Sequence, residues 1–194
     1  MITYLKPKRL GNIFLREIEE ADYLDFYSIG SDSEVCKYLN WGPFIKPYEA
    51  LYTIKEIFNQ RPKEDMLPKG YAILMDNHMI GMIDFHSENQ KQNSIEIGYF
   101  LSRKYWGLGI MHRALTYMVD LAFGLGFDKV YLGSIVDNLR SIHLIESLGF
   151  KYEYESVGED SSNLLHIVKY YSKYKNEEWL LWLQSQRVPM MYYL

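Results

Sequence analysis

The segment that most constrains this chain runs from Ser94 to Ala122, where a strand pattern passes through a glycine-bearing loop into a helix pattern. Ile95, Ile97, Tyr99 and Leu101 alternate with Ser94, Glu96 and Gly98, the period of two expected of a strand. Met111, Ala114, Leu115, Met118 and the pair Leu121/Ala122 then recur at helical spacing. The loop Lys104-Tyr105-Trp106-Gly107-Leu108-Gly109 therefore lies at a helix N-terminus. There the first backbone N–H groups lack partners inside the helix and the helix dipole adds about half a positive charge, so the position favours a phosphate-type anion. Gly107 and Gly109 carry no Cβ and let such an anion approach the main chain. Two glycines before a helix also serve to close a plain strand–helix connection, so by themselves they leave both readings open.

Bulk properties narrow the field. With 194 residues, 48% of them hydrophobic, and no Pro/Gly/Ser-rich linker, the chain is expected to form one domain over residues 1–175, followed by a tail, 176–194. A net charge of −4 without a block of Lys or Arg argues against nucleic-acid binding. A single cysteine, Cys36, excludes an intramolecular disulfide and suits a reducing, cytoplasmic compartment. No Cys/His cluster has metal-ligand spacing, so no metal is expected. The start of the chain lacks a signal-peptide core and no run of eighteen apolar residues occurs, which points to a protein without a membrane partner.

Along the chain, Asn12 to Glu17 alternates as a strand and an acidic turn at Glu19-Glu20-Ala21-Asp22 opens a helix to about Ile29. Val35 to Leu39 reads as a further helical turn, broken at Trp41-Gly42-Pro43. Pro47 starts a helix with Ala50/Leu51, Ile54, Ile57 and Phe58 on one face, which Arg61-Pro62 is expected to end. Tyr71–Met75 and Met79–Phe85 flank Asp76-Asn77-His78, a hairpin signal, and a strand from Ile95 to Leu101 follows. After the helix come a strand over 129–136, a short helix capped at Asp137/Asn138 that ends in Leu148-Gly149-Phe150, and strands at 151–157 and 164–172 around the polar turn 158–163. The predicted class is α/β, with a mixed, mostly antiparallel central sheet flanked by helices.

This order resembles the GNAT superfamily of N-acetyltransferases, and within it the branch of ribosomal-protein N-terminal (Rim-type) acetyltransferases. The resemblance rests on Tyr105-Trp106-Gly107-Leu108-Gly109, on the Asn138 and Ser141 segment, and on Leu148-Gly149-Phe150, and it spans most of the chain. It implies a GNAT-like sheet with two splayed parallel strands and acetyl-CoA as co-substrate. The pantetheine arm would then run along the main chain of Tyr99, Phe100 and Leu101, with Lys104, Tyr105, Trp106, Gly107, Leu108 and Gly109 around the pyrophosphate and Asn138 on the opposite side. A splayed strand fits such a ligand, because its free N–H and C=O groups need partners that an amide-bearing arm supplies. Asn138 reads equally well as a helix N-cap. Lys104 stands where the superfamily usually has Gln or Arg, and Arg113 where the branch often has Glu; a cation there, or at His112, makes sense beside an anion.

Acetyl transfer needs a neutral amine, hence a proton acceptor. Glu96, on the strand leading to the loop, is the candidate general base, against the alternative of a surface carboxylate or half of an ion pair. The tyrosine that many relatives place near the thiolate is replaced by Ile145, and the resemblance assigns the task to Ser141, which reads otherwise as a first-turn polar residue. His86 is a reserve base, while His78, His143 and His166 read as structural or solvent-facing. For the acceptor pocket, Tyr27, Tyr38, Trp41 and Phe44 offer aromatic walls, and Asp32, Glu34, Glu159 and Asp160 would attract a cation. The apolar tail, from Asn176 through Trp179 and Trp182 to Leu194, is expected to pack on the domain or in a homodimer contact. The leading reading is transfer to a primary amine, a protein N-terminus first and a polyamine or amine antibiotic as the alternative. A CoA-binding protein without turnover and a plain interaction domain complete the field.

Overall fold

The computed structural model describes residues 4–64, 67–159 and 164–176. The expectations placed on 177–194 and on the turn at 160–163, Asp160 included, therefore lie outside the described residues. Strands β1 (Lys8–Leu10) and β2 (Ile13–Glu17) are followed by α1 (Tyr23–Gly30), α2 (Ser33–Cys36), α3 (Pro47–Thr53) and α4 (Arg61–Glu64). Next come β3 (Tyr71–Met75), β4 (His78–Asn89), β5 (Ser94–Leu101), α5 (Ile110–Gly124), β6 (Lys129–Ile135), α6 (Leu139–Ser147), β7 (Lys151–Glu159) and β8 (Leu165–Tyr174). Among the described residues the sheet has eight strands in the order β1-β2-β3-β4-β5-β6-β8-β7. All neighbours are antiparallel except β5 and β6. No helix of the described residues is long and apolar enough to cross a membrane.

Side-chain alternation decides which face of the sheet each helix covers. Ile73, Ile83, Phe85, Ile95 and Ile97 pack with α5 residues Ala114, Leu115 and Met118 in one core. Their strand neighbours Ala72, Leu74 and Met82 pack with Phe26, Ala50, Ile54 and Phe58 in the other. The two cores lie on opposite sides of a single sheet because consecutive strand residues point to opposite faces. Burying one such Ile, Leu or Phe contributes about 1.5–3 kcal/mol, so the sheet holds both helical layers without a disulfide.

Several local details differ from the sequence reading. The helix begun at Pro47 turns into a π-helical segment over Ile54–Phe58, closed by Asn59 N–H donating to the Ile54 carbonyl at 2.9 Å. That extra residue in the turn keeps Ile54 and Phe58 buried and leaves Ile57, expected on the apolar face, 47% exposed. Arg61-Pro62, expected to end a helix, opens the short α4 instead, since proline is tolerated in a first turn. Strand β4 runs to Asn89 rather than Phe85, because its polar end continues the ladder past a register shift to the pair Asn89–Ser94.

One feature of the sheet positions everything that follows. The parallel pairing of β5 with β6 covers Ser94–Lys129, Ile95–Val130 and Glu96–Tyr131, after which both strands run on, to Leu101 and Ile135, without a shared ladder. Beyond Glu96, β5 is held on its other side only, by β4 through Phe85–Ile97, Ile83–Tyr99, Met82–Phe100 and Gly81–Leu101. Strand β6 is likewise held along its length by β8. The strands therefore splay. Gly81 keeps β5 close to β4 at the widest point: a Cβ added there would lie 2.5 Å from the Phe100 carbonyl oxygen. Gly81→Ala is expected to destabilise the fold by about 1–3 kcal/mol, read as a lower urea midpoint. An unchanged midpoint would contradict this account of the strand spacing.

Candidate active site

Two lobes of one cleft meet in the splay. The first, about 680 Å³, lies between the loop before α5 and the start of α6. The second, about 600 Å³, lies on the α1/α3 face of the sheet. Tyr38, Leu39, Tyr99, Phe100, Asn138 and Ser141 line both, so they mark the junction.

The first lobe is built as an anion and amide site. Ser102 to Tyr105 closes in a tight turn, Tyr105 N–H donating to the Ser102 carbonyl at 2.9 Å. Gly107 and Gly109 follow with φ of 76° and 67°. Such values favour glycine. A Cβ at Gly107 would meet nothing within 4 Å, and one at Gly109 only the Arg113 guanidinium at 3.9 Å, so the loop main chain faces open space. Gly109 is also the N-cap of α5 and offers no side chain to the first-turn amides. Those N–H groups are therefore directed at whatever enters the lobe.

The cations Lys37 and Arg140 line the lobe with Glu34 and Asp137 and with the imidazoles of His112 and His143, and Arg113 reaches Asn12 Oδ1 at 3.0 Å from the first turn of α5. Trp106 braces the loop twice: its indole N–H donates to the Leu101 carbonyl at 2.8 Å, and the Arg140 guanidinium stacks 4.0 Å over its ring. Tyr105, Trp106, Gly107 and Gly109 are part of the lining, whereas Lys104 and Leu108 are exposed beside it. His143, expected to face solvent or serve structure, sits on the lobe wall. The open glycine loop at the start of α5, with Lys37 and Arg140 beside it, and the free strand edge fit the pyrophosphate and amide arm of CoA.

Asn138 caps α6, accepting from Ser141 N–H at 3.2 Å, and so fills the cap reading while facing the junction. Ser141 Oγ lies 2.9 Å from the Tyr99 hydroxyl. That contact was not anticipated from the sequence. The available signal was a phenol in the otherwise apolar series Ile95, Ile97, Leu101. Ile145, in the place where many relatives carry a tyrosine, is wholly buried in the core.

The second lobe carries carboxylates. Glu96 points into it with its side chain 15% exposed, so it is not a surface carboxylate. His86 Nδ1 stands 3.6 Å from Glu96 Oε2. Burial pushes the Glu96 carboxyl above its ordinary 4.5; His86 and hydrogen bonds from Ser87 and the Gly133 backbone pull the other way. Asp84 joins Arg61, whose guanidinium also lies 5.0 Å from the centre of the Phe58 ring. Gly98 lets His86 and Asp84 close over β5, since a Cβ there would lie 2.8 Å from His86 Nε2 and 2.9 Å from Asp84 Oδ1.

Of the proposed walls, Tyr38 and Trp41 line this lobe, whereas Tyr27 and Phe44 pack into the core around Phe26. Among the acids, Glu159 lines it, Asp32 is paired with Arg103 at 3.0 Å, and Glu34 faces the other lobe. Among the described residues no group of three or more His, Cys, Asp or Glu side chains is placed to hold a metal ion.

Comparison with known proteins agrees with this layout. The family described as acetyltransferase (GNAT) domain matches residues 12–151. An uncharacterized N-acetyltransferase, p20, of Bacillus licheniformis is 33% identical over 139 residues, covering 71% of this chain and 76% of its own. The spermidine N(1)-acetyltransferase of Escherichia coli (strain K12) is 26% identical over 149 residues, covering 76% and 77%. Among solved structures, RimL, a ribosomal L7/L12 α-N-protein acetyltransferase in complex with coenzyme A, superposes with a TM-score of 0.74 at 19% identity, covering 87% of this chain and 98% of that one. That last likeness concerns the fold.

The raised Glu96 pKa has a measurable consequence. Its protonated form is favoured by folding, so stability from this group is complete below about 4.5 and is lost as pH rises through the folded-state pKa. Glu96→Gln removes the titration. The melting temperature of the variant relative to the parent should therefore climb as pH rises from 4 to 8; a difference independent of pH would contradict the burial of this carboxylate.

Proposed function

Since this chain belongs to the GNAT family of acetyltransferases, we propose that the second lobe admits a primary amine and that its first choice is a protein N-terminal α-amine. Acetyl-CoA is the co-substrate and supplies the thioester. The observation that carries the reading is Glu96, a carboxylate with its side chain 15% exposed at the last paired rung of β5 and β6, on the wall of the second lobe where the splay begins.

Each residue then has a task. The loop amides, helped by Lys37 and Arg140, hold the diphosphate, and the free edge of Tyr99, Phe100 and Leu101 holds the amide arm. Glu96 accepts the amine proton, directly or through water, as nitrogen bonds to the acetyl carbon and the carbon–sulfur bond breaks. A carboxylate whose pKa is lifted by burial is a stronger base toward an ammonium than a solvated one. His86, its Nδ1 hydrogen-bonded with Ser87 Oγ at 3.0 Å, stands beside Glu96 as a reserve base, and Ser141 offers its hydroxyl to the departing sulfur. This last task is the lesser one, because a thiolate is a tolerable leaving group near its own pKa.

For the acceptor, the mouth of the second lobe supports a polypeptide. Gly158, Glu159 and Val168 line it at the β7–β8 end. Tyr38, Trp41 and Tyr170 line it as well, partly exposed aromatic surface that the first residues of a chain leading away from the amine would cover. A second reading, a polyamine, is favoured by the carboxylates Glu96 and Glu159 in a lobe whose cation Arg61 is already matched by Asp84, and by the likeness to the spermidine enzyme.

Thiol release from acetyl-CoA, measured with peptides bearing free α-amines and with spermidine, separates the two. Peptides are expected to turn over with the higher kcat/KM; turnover of spermidine alone would move the assignment to the second reading. With whichever acceptor works, Glu96→Gln is expected to lower kcat about a hundredfold and to remove the acidic limb of the pH–rate profile. Unchanged kcat and profile would exclude Glu96 as the base.

A further inference from the structure

Resting on the assignment of Ser141 to the sulfur, we propose that Tyr99 is a positioning residue for transfer: its phenol donates to Ser141 Oγ and thereby turns the Ser141 proton toward the thioester sulfur. The two oxygens are 2.9 Å apart, one on β5 and one in the first turn of α6, on opposite sides of the splay. Both residues line both lobes, so their contact sits where donor and acceptor meet.

The direction of the bond follows from acidity. A phenol, with a pKa near 10, gives up its proton far more readily than an aliphatic hydroxyl, so in the neutral pair the tyrosine donates and the serine accepts. Ser141 is further fixed from behind, where its N–H donates to Asn138 Oδ1 at 3.2 Å. With one lone pair engaged by Tyr99 and the backbone held by the cap, the serine proton is left to the cleft rather than to a local carbonyl, the usual fate of a first-turn hydroxyl. As sulfur leaves carbon it takes up negative charge, and a proton already aimed at it shortens into a charge-assisted hydrogen bond without reorganisation. No proton need leave Tyr99. Its phenol stays intact while Ser141 donates, consistent with burial pushing Tyr99 up to about 12.

The test reads the thiol of bound CoA rather than turnover. Titration of thiolate absorbance in the complex reports the pKa of that thiol, and desulfo-CoA, which lacks sulfur, reports binding by every other part of the site. In the parent protein the bound thiol should titrate below the value it shows free in the same buffer. Ser141→Ala should raise it by about one unit, the worth of one hydrogen bond to a charged group. Tyr99→Phe should raise it by at least half as much, and the double variant no further than Ser141→Ala alone. Desulfo-CoA affinity should stay within about twofold throughout. Lys37, His112, Arg140 and His143, with Glu34 and Asp137, are the other charged or titratable groups of the lobe, and these substitutions leave them in place.

If Ser141→Ala shifts the thiol and Tyr99→Phe does not, the positioning role of Tyr99 is overturned while the serine assignment stands. If neither shifts it, the serine assignment falls and takes this inference with it. Should Tyr99→Phe lose desulfo-CoA affinity or the native circular dichroism, the parent protein decides. Its Tyr99 phenol resonance should move on binding CoA and not on binding desulfo-CoA, and equal responses would overturn the proposal.

Discussion

The structure depends on the loss of pairing between β5 and β6 beyond Glu96. A parallel ladder that stops halfway leaves main-chain donors and acceptors of two central strands facing each other across a gap, a costly arrangement inside a protein unless a ligand supplies their partners. The cost is contained because each strand is secured from its outer side, β5 by β4 and β6 by β8. The gap is thus a property of the sheet itself and does not rely on a flexible loop. Tyr99 from β5 and Ser141 and Asn138 from the start of α6 meet at the junction of the lobes, with Glu96 of β5 in the second lobe beside it.

Charge divides along the same line. Around the lobe that faces the glycine loop Lys37 and Arg140 are matched by Glu34 and Asp137, so the loop amides supply the hold on an anion there, whereas Glu96 and Glu159 stand beyond the Arg61–Asp84 pair in the lobe across the sheet. A polyanion is drawn to one side and a cationic amine to the other, so each reactant is directed to its own lobe before they meet. Such a division explains why the chain needs no overall basic character, its net charge being −4. Trp106, anchored to the Leu101 carbonyl and covered by Arg140, keeps the glycine loop in register with the strand edge.

Much of this was legible in the sequence because it is local. Period-two alternation placed β5, the turn Asp76-Asn77-His78 placed β3 beside β4, and the glycines at 107 and 109 marked the helix start, with the positive φ that their type permits. The Asn138 cap was legible from its position before a helical pattern, since capping is a three-residue relation. What stayed hidden was long-range or geometric. Tyr99 and Ser141 are 42 residues apart, and only the splay brings them together. Arg61 read as a helix stop because proline follows it, whereas its guanidinium crosses to Asp84 in the neighbouring sheet. Periodicity also missed the π turn at Ile54–Phe58, because one inserted residue shifts Ile57 off the face that a regular helix would give it. Tyr27 and Phe44, plausible walls by type, were taken up by the aromatic core around Phe26, a choice made by packing rather than by pattern.

The central claim is that the free edge of β5 and the amides opening α5 are completed by acetyl-CoA. Amide hydrogen exchange, followed with and without acetyl-CoA, tests it at the groups concerned. The account predicts marked slowing at residues 97–101 and 107–111, with little change in β1 and β7 at the far ends of the sheet. Saturating acetyl-CoA that leaves exchange at 97–101 and 107–111 unaltered would contradict it.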